Sequence, residues 1–81
     1  MKAKEMFEKL GFDRKTKQGF IIYTKSNKYI KIGIVFCKEQ QEIEYENLSK
    51  LYFVRIDKEE NNAIQKQIQE LGWLSEVKDN V

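Results

Sequence analysis

Two tripeptides of one pattern, Leu10-Gly11-Phe12 and Leu71-Gly72-Trp73, constrain the fold of this 81-residue chain more than any other feature. A glycine just past a helix can take the left-handed backbone conformation that turns the chain aside, and the residue after it folds back on the third helical residue from the end. Each tripeptide closes a stretch whose apolar side chains have helical spacing. Ahead of the first, Ala3, Met6, Phe7 and Leu10 fall at i, i+3, i+4 and i+7. Ahead of the second, Ile64, Ile68 and Leu71 form a stripe with Ala63, while Asn62, Gln65, Lys66 and Gln69 fall on the other side. The predicted contacts are Phe7 with Phe12 and Ile68 with Trp73. The second helix also carries a start signal, since Asp57 can accept from a backbone donor of the first turn while Glu60 reaches back.

The segment between the two stops has the period of a sheet. Ile30, Ile32, Ile34 and Phe36 repeat every second residue, and Ile43 and Tyr45 alternate with Glu42, Glu44 and Glu46. Phe20 to Thr24 is rich in aromatic and β-branched residues and reads as a further strand, joined to its successor through Lys25-Ser26-Asn27-Lys28. The register of that hairpin stays open: a slip of one residue exchanges Phe20 and Ile22 with Ile21 and Tyr23 between core and solvent. Leu51 to Ile56 reads as a fourth strand or as an irregular segment crossing the core, and residues 13–19, without an apolar side chain, read as a connecting loop.

Helices this short are marginal alone, so both must dock on the sheet. The expected architecture is an α+β two-layer sandwich, α-β-β-β-(β)-α, with a three- or four-stranded antiparallel sheet and both helices on one face. Residues 1–74 form a single domain and residues 75–81 a frayed tail. Hydrophobic residues at 41% and charged residues at 35% describe a globular chain with one core. The apolar run from Tyr29 to Cys37 is interrupted by Lys31 and falls far short of the roughly 20 residues that span a bilayer. No signal-peptide pattern opens the sequence, and Cys37 is the sole cysteine, so no internal disulfide forms. The expectation is a cytoplasmic protein of a bacterial host, away from membranes, as a monomer or small homo-oligomer.

Composition removes most catalytic chemistry. With no histidine and one cysteine, neither a Ser-His-Asp nor a Cys-His pair assembles, and the common zinc sites are excluded. Gly11, Gly19, Gly33 and Gly72 are isolated, so phosphate-cradling loops and dinucleotide fingerprints are absent. The chain reads as a non-enzyme without cofactor or metal, and Glu42, Glu44 and Glu46 read as a solvated strand face. Cys37 reads as an inert thiol, since reactivity needs a lowered pKa.

Charge is uneven. Residues 1–38 hold ten basic and three acidic side chains, a net of +7, and residues 39–81 hold five and ten, a net of −5. Arg14, Lys15, Lys17, Lys25, Lys28 and Lys31, with Tyr29 or Tyr23 available to stack on a base, form a candidate nucleic-acid surface. A plainer account has Lys31 pairing across the sheet with the glutamates and the other lysines blunting edges and turns. A candidate protein-binding surface is the outward side of the second helix, Gln65 and Gln69, followed by Trp73 and Leu74. Trp73 is also claimed by the helix stop.

The opening Met1-Lys2-Ala3-Lys4-Glu5-Met6-Phe7-Glu8-Lys9-Leu10-Gly11-Phe12, the alternating strands, and the closing Ala63-Ile64-Gln65-Lys66-Gln67-Ile68-Gln69-Glu70-Leu71-Gly72-Trp73 resemble short prophage-encoded proteins of Gram-positive bacteria. The resemblance spans most of the chain through structural motifs. It implies a phage or prophage origin, an intracellular setting and an α+β domain, and it transfers no catalytic or binding residue. The α-β-β-β-α order is also that of double-stranded-RNA-binding domains, whose second helix opens with basic residues. Here it opens with Asp57-Lys58-Glu59-Glu60, which repels phosphate. The reading that results is a non-enzymatic protein-interaction module with an unidentified protein partner; the alternative is a weak nucleic-acid binder using the basic loop and first hairpin.

Overall fold

The computed structural model describes residues 1–49 and 55–73. The chain runs α1 (Ala3–Lys9), β1 (Asp13–Lys17), β2 (Phe20–Ser26), β3 (Lys31–Cys37), β4 (Glu42–Asn47), α2 (Lys58–Glu70). The four strands form one antiparallel sheet in the order β1-β2-β3-β4, a meander in which every strand pairs with its neighbour in the chain. The α+β sandwich expected from the sequence is present, with both helices on one face of the sheet.

Both helix stops are complete Schellman motifs. Phe12 N–H donates to Phe7 O (3.0 Å) and Gly11 N–H to Glu8 O (3.0 Å); Trp73 N–H donates to Ile68 O (3.1 Å) and Gly72 N–H to Gln69 O (3.0 Å). Gly11 and Gly72 stand at φ +92° and +74°, where a β-carbon would strain the backbone. Phe12 meets Phe7 edge to face at 5.3 Å between ring centres. At the start of α2 the Asp57 carboxylate accepts from Glu60 N–H (2.8 Å) and the Glu60 carboxylate accepts from Asp57 N–H (3.3 Å).

The core lies between helices and sheet: Phe7 from α1, Phe12, Ile21 and Tyr23 from β2, Ile32, Ile34 and Phe36 from β3, and Ala63 and Ile64 from α2. Phe7 stacks on Tyr23 with ring centres 3.8 Å apart. Tyr45, Leu10, Met6, Ile68, Leu71 and Trp73 close its margins. The open register of the first hairpin is thereby set. Ile21, Tyr23 and Lys25 point toward the helices, and Phe20, Ile22 and Thr24 point away.

One expectation is corrected, and another falls mostly outside the described residues. Residues 13–17 form β1 instead of a loop, paired with β2 through Asp13↔Thr24, Arg14↔Tyr23, Lys15↔Ile22, Thr16↔Ile21 and Lys17↔Phe20. The two-residue Gln18-Gly19 turn, with Gly19 at φ +83°, holds the strands close enough for backbone hydrogen bonds to replace apolar contact as the source of pairing. The element order is therefore α-β-β-β-β-α, one strand more than the RNA-binding topology. Of the segment 51–56, read as a fourth strand or as an irregular segment crossing the core, residues 51–54 lie outside the described residues and Arg55 and Ile56 lie in no strand. The expected tail at 75–81 and the candidate Leu74 also lie outside them.

Candidate functional site

Strand alternation and register place the side chains of the sheet's second face in rows running across it. One row reads Lys17 (β1), Phe20 (β2), Cys37 (β3), Glu42 (β4); the next reads Lys15, Ile22, Val35, Glu44; the third reads Asp13, Thr24, Gly33, Glu46. A β-carbon on Gly33 would lie 3.6 Å from Glu46 Oε1 and 3.9 Å from Thr24 Cγ2, which confirms that these three residues share the face. No described helix covers it.

In the middle of this face Phe20 is exposed and Ile22, Val35 and Cys37 are half-buried. The strands that carry them are apolar on both alternations, Phe20-Ile21-Ile22-Tyr23 and Ile32-Gly33-Ile34-Val35-Phe36-Cys37. That is the composition of strands covered on both sides, not of strands with one wet face. The two edges of the face carry opposite charge, Lys15 and Lys17 on β1 and Glu42, Glu44 and Glu46 on β4. In the first two rows the arrangement is a basic edge, an apolar centre and an acidic edge; beyond them Asp13 on β1 and Lys31 on β3 share the face.

The predicted nucleic-acid residues do not converge. Arg14 belongs to the helix side of the sheet, where its Nε donates to the Tyr23 hydroxyl (3.2 Å). Lys25 is on that side too, with its Nζ 3.7 Å from Glu60 Oε2 and 5.2 Å from the centre of the Phe12 ring. Lys15, Lys17 and Lys31 occupy the opposite face, Lys31 on β3 beyond the row of Asp13 and Glu46. Lys28 and Tyr29 sit on the 27–30 turn, Nζ over the ring at 5.6 Å, and Tyr29 is 66% exposed. That turn is built by Asn27, whose Oδ1 accepts from Tyr29 N–H and Ile30 N–H.

Lys31 opens β3, its backbone N–H donating to Ser49 Oγ (2.8 Å). The expected pairing of Lys31 with the strand glutamates is absent. Among the described residues the ion pair is Lys25 with Glu60, because Gly33, Val35 and Cys37 stand opposite Glu46, Glu44 and Glu42.

Tyr23, considered for base stacking, is fully buried. Its hydroxyl donates to Gln67 Oε1, and Gln67 is itself buried on α2. Burial pushes the Tyr23 phenol above its ordinary value of 10.0, opposed by the hydrogen bond from Arg14. Burial also raises Tyr45, with the Glu60 carboxylate adding to it. The Tyr45 hydroxyl has no hydrogen-bond partner among the described residues.

On α2, Gln65 and Gln69 are exposed, and Lys66 Nζ donates to Gln69 Oε1 at 3.5 Å. Trp73 is half-buried with its ring centre 6.2 Å from that of Phe36, so the helix stop has drawn it into the margin of the core and away from the exposed glutamines. The apolar centre of the open face was not among the expected sites. Its signal in the sequence is the pair of strands without polar alternation. No helix of the described residues is long and apolar enough to cross a membrane.

No protein-family model, curated protein or solved structure matches this chain.

Proposed function

We propose that this chain is a non-enzymatic protein-interaction module, of the small phage or prophage type its sequence resembles, and that it binds through the open face of the sheet. The observation that carries the reading is the apolar centre formed by Phe20, Ile22, Val35 and Cys37, flanked by charged edges. An apolar middle with a polar rim is the anatomy of a protein–protein contact. A nucleic-acid surface needs cations on one side, and here Arg14 and Lys25 are engaged on the helix side while the far edge of the open face is acidic, which repels phosphate.

The test compares the wild-type chain with Ile22→Lys and Val35→Lys, each checked for an unchanged circular dichroism spectrum, as baits in bacterial lysate. Recovery of a defined partner by wild type and its loss in both variants supports the reading. Equal recovery by all three removes the sheet face from the interaction. Titration of labelled DNA and RNA at two salt concentrations tests the alternative, and binding that strengthens steeply as salt falls would favour it over the protein partner.

A further inference from the structure

The rows of the open face are complementary to themselves. Consider two copies packed sheet to sheet, related by a two-fold axis parallel to the strands. The operation sets β1 of one copy over β4 of the other and β2 over β3. Lys17 then faces the second copy's Glu42, Lys15 faces its Glu44, Phe20 faces its Cys37 and Ile22 faces its Val35. Each pairing occurs twice, as an isologous contact requires. An axis parallel to the rows and centred on the first two of them instead sets Lys15 against Lys17 and Glu42 against Glu44 of the other copy, opposing like charges. Charge thus selects one of two packings that are both aligned, as paired sheets favour.

We infer that the occupant of the open face is a second copy of this chain, in a closed dimer with its axis along the strands. The inference rests on the reading that this face is the binding surface and names its partner. Facing sheets stand roughly 10 Å apart, a gap that a lysine and a glutamate close from either side. The third row, Asp13 to Glu46, has no large apolar side chain and sets carboxylate against carboxylate, so the contact centres on the first two rows.

Four strands at about 4.8 Å and about four residues at about 3.3 Å, the length of those two rows, give a flat area on the order of 250 Å² per copy. A standard interface buries about 800 Å² per partner, which puts this dimer among the small, transient contacts. Charges at the rim make it tighter at low salt.

Sedimentation equilibrium from micromolar to millimolar chain, at low and physiological salt, reads the self-association directly. Wild type is expected to reach a dimer and stop. Lys15→Glu/Lys17→Glu and Glu42→Lys/Glu44→Lys are each expected to weaken the dimer at least tenfold. All four substitutions in one chain keep the wild-type net charge, restore every facing pair with its sign exchanged, and are expected to bring the dimer back. Asp13→Lys, which faces Glu46 with an opposite charge, is expected to tighten it severalfold.

A wild-type chain that stays monomeric at millimolar concentration and low salt overturns the inference. So does a quadruple variant no tighter than the doubles. Growth past the dimer overturns it too, since a basic β1 edge adding to an acidic β4 edge makes an open chain of subunits. The lysate comparison keeps the broader reading separate: a monomer whose defined partner is lost with Ile22→Lys and Val35→Lys refutes the dimer alone, and failure of both experiments removes the sheet face as a binding surface.

Discussion

Tyr23→Phe removes the hydroxyl that donates to Gln67 Oε1 and accepts from Arg14 Nε in the seam between sheet and helix. The phenylalanine keeps the ring that stacks on Phe7 at 3.8 Å, so packing is preserved and the hydroxyl alone is lost. Its loss leaves Gln67 Oε1 without the Tyr23 donor in a residue only 4% exposed, where water cannot replace it. A buried polar atom stranded in this way costs about 1–3 kcal/mol. Taking about 2 kcal/mol, and a shift of roughly 4–8 °C per kcal/mol for a domain of this size, the midpoint of thermal unfolding should fall by about 8–16 °C. Gln67→Leu breaks the same bond from the other side and leaves the phenol proton without its acceptor, with a similar cost. Combined, the two substitutions leave no unpaired polar atom in the buried seam, since the exposed Arg14 that loses its acceptor can turn to water, and the double variant should recover about 2 kcal/mol relative to the sum of the singles. Urea unfolding of the four proteins measures this. Additivity within about 0.5 kcal/mol, or a Tyr23→Phe variant as stable as wild type, refutes the account of the seam.

Gly72→Ala should lose about 1–2 kcal/mol by placing a β-carbon at φ +74°, although space is open around it, whereas Gly33→Ala meets only ordinary contacts and should be neutral or slightly stabilising in urea melts. Lys25→Ala removes the cation 3.7 Å from the buried Glu60 carboxylate and should cost about 1–2 kcal/mol, much less when paired with Glu60→Gln in a double-mutant cycle. Because burial raises the folded-state values of Tyr23 and Tyr45 above 10.0, the folded protein holds their protons more tightly than the unfolded chain. The stability this contributes is full below pH 10 and is lost as pH climbs through the raised values, so unfolding midpoints should decline above pH 10, less steeply in Tyr23→Phe.

Features with a local cause were legible in the sequence. The helix stops depend on a glycine and its neighbours, and both aromatics lie where the spacing puts them. The alternation of Ile32, Ile34 and Phe36 likewise marks the face that meets the helices. β1 escaped because Asp13-Arg14-Lys15-Thr16-Lys17 contains no residue that prefers burial. An edge strand is held by backbone pairing to its neighbour, and charged side chains on it guard the free edge instead of filling a core. The two residues Gln18-Gly19 between that run and Phe20 were the available clue, since a two-residue loop ending in glycine joins antiparallel strands. The basic cluster misled for a related reason. Residues near in sequence alternate across a strand, so Arg14 and Lys15 part to opposite faces, and which of them met the helices depended on a register that only the packing of Tyr23 decides. Gln67 was hidden by its polarity, because its burial follows from the tyrosine hydroxyl it accepts from.

The nearest-neighbour order of the sheet has a consequence for how the chain reaches its fold. Each strand can join a hairpin already formed beside it, across turns of two to four residues, so no sheet pairing requires a long loop to close. Distant parts of the chain meet when the helices dock: Tyr23 with Gln67, 44 residues apart, and Ala3 N–H with the Glu70 carboxylate, 67 residues apart. The longest loop closures therefore fall on the docking of the helices and not on any strand pairing of the sheet. β2 and β3 are apolar on both faces, and the lysines of β1 and glutamates of β4 stand at the two edges of the sheet, where charge discourages another chain from adding.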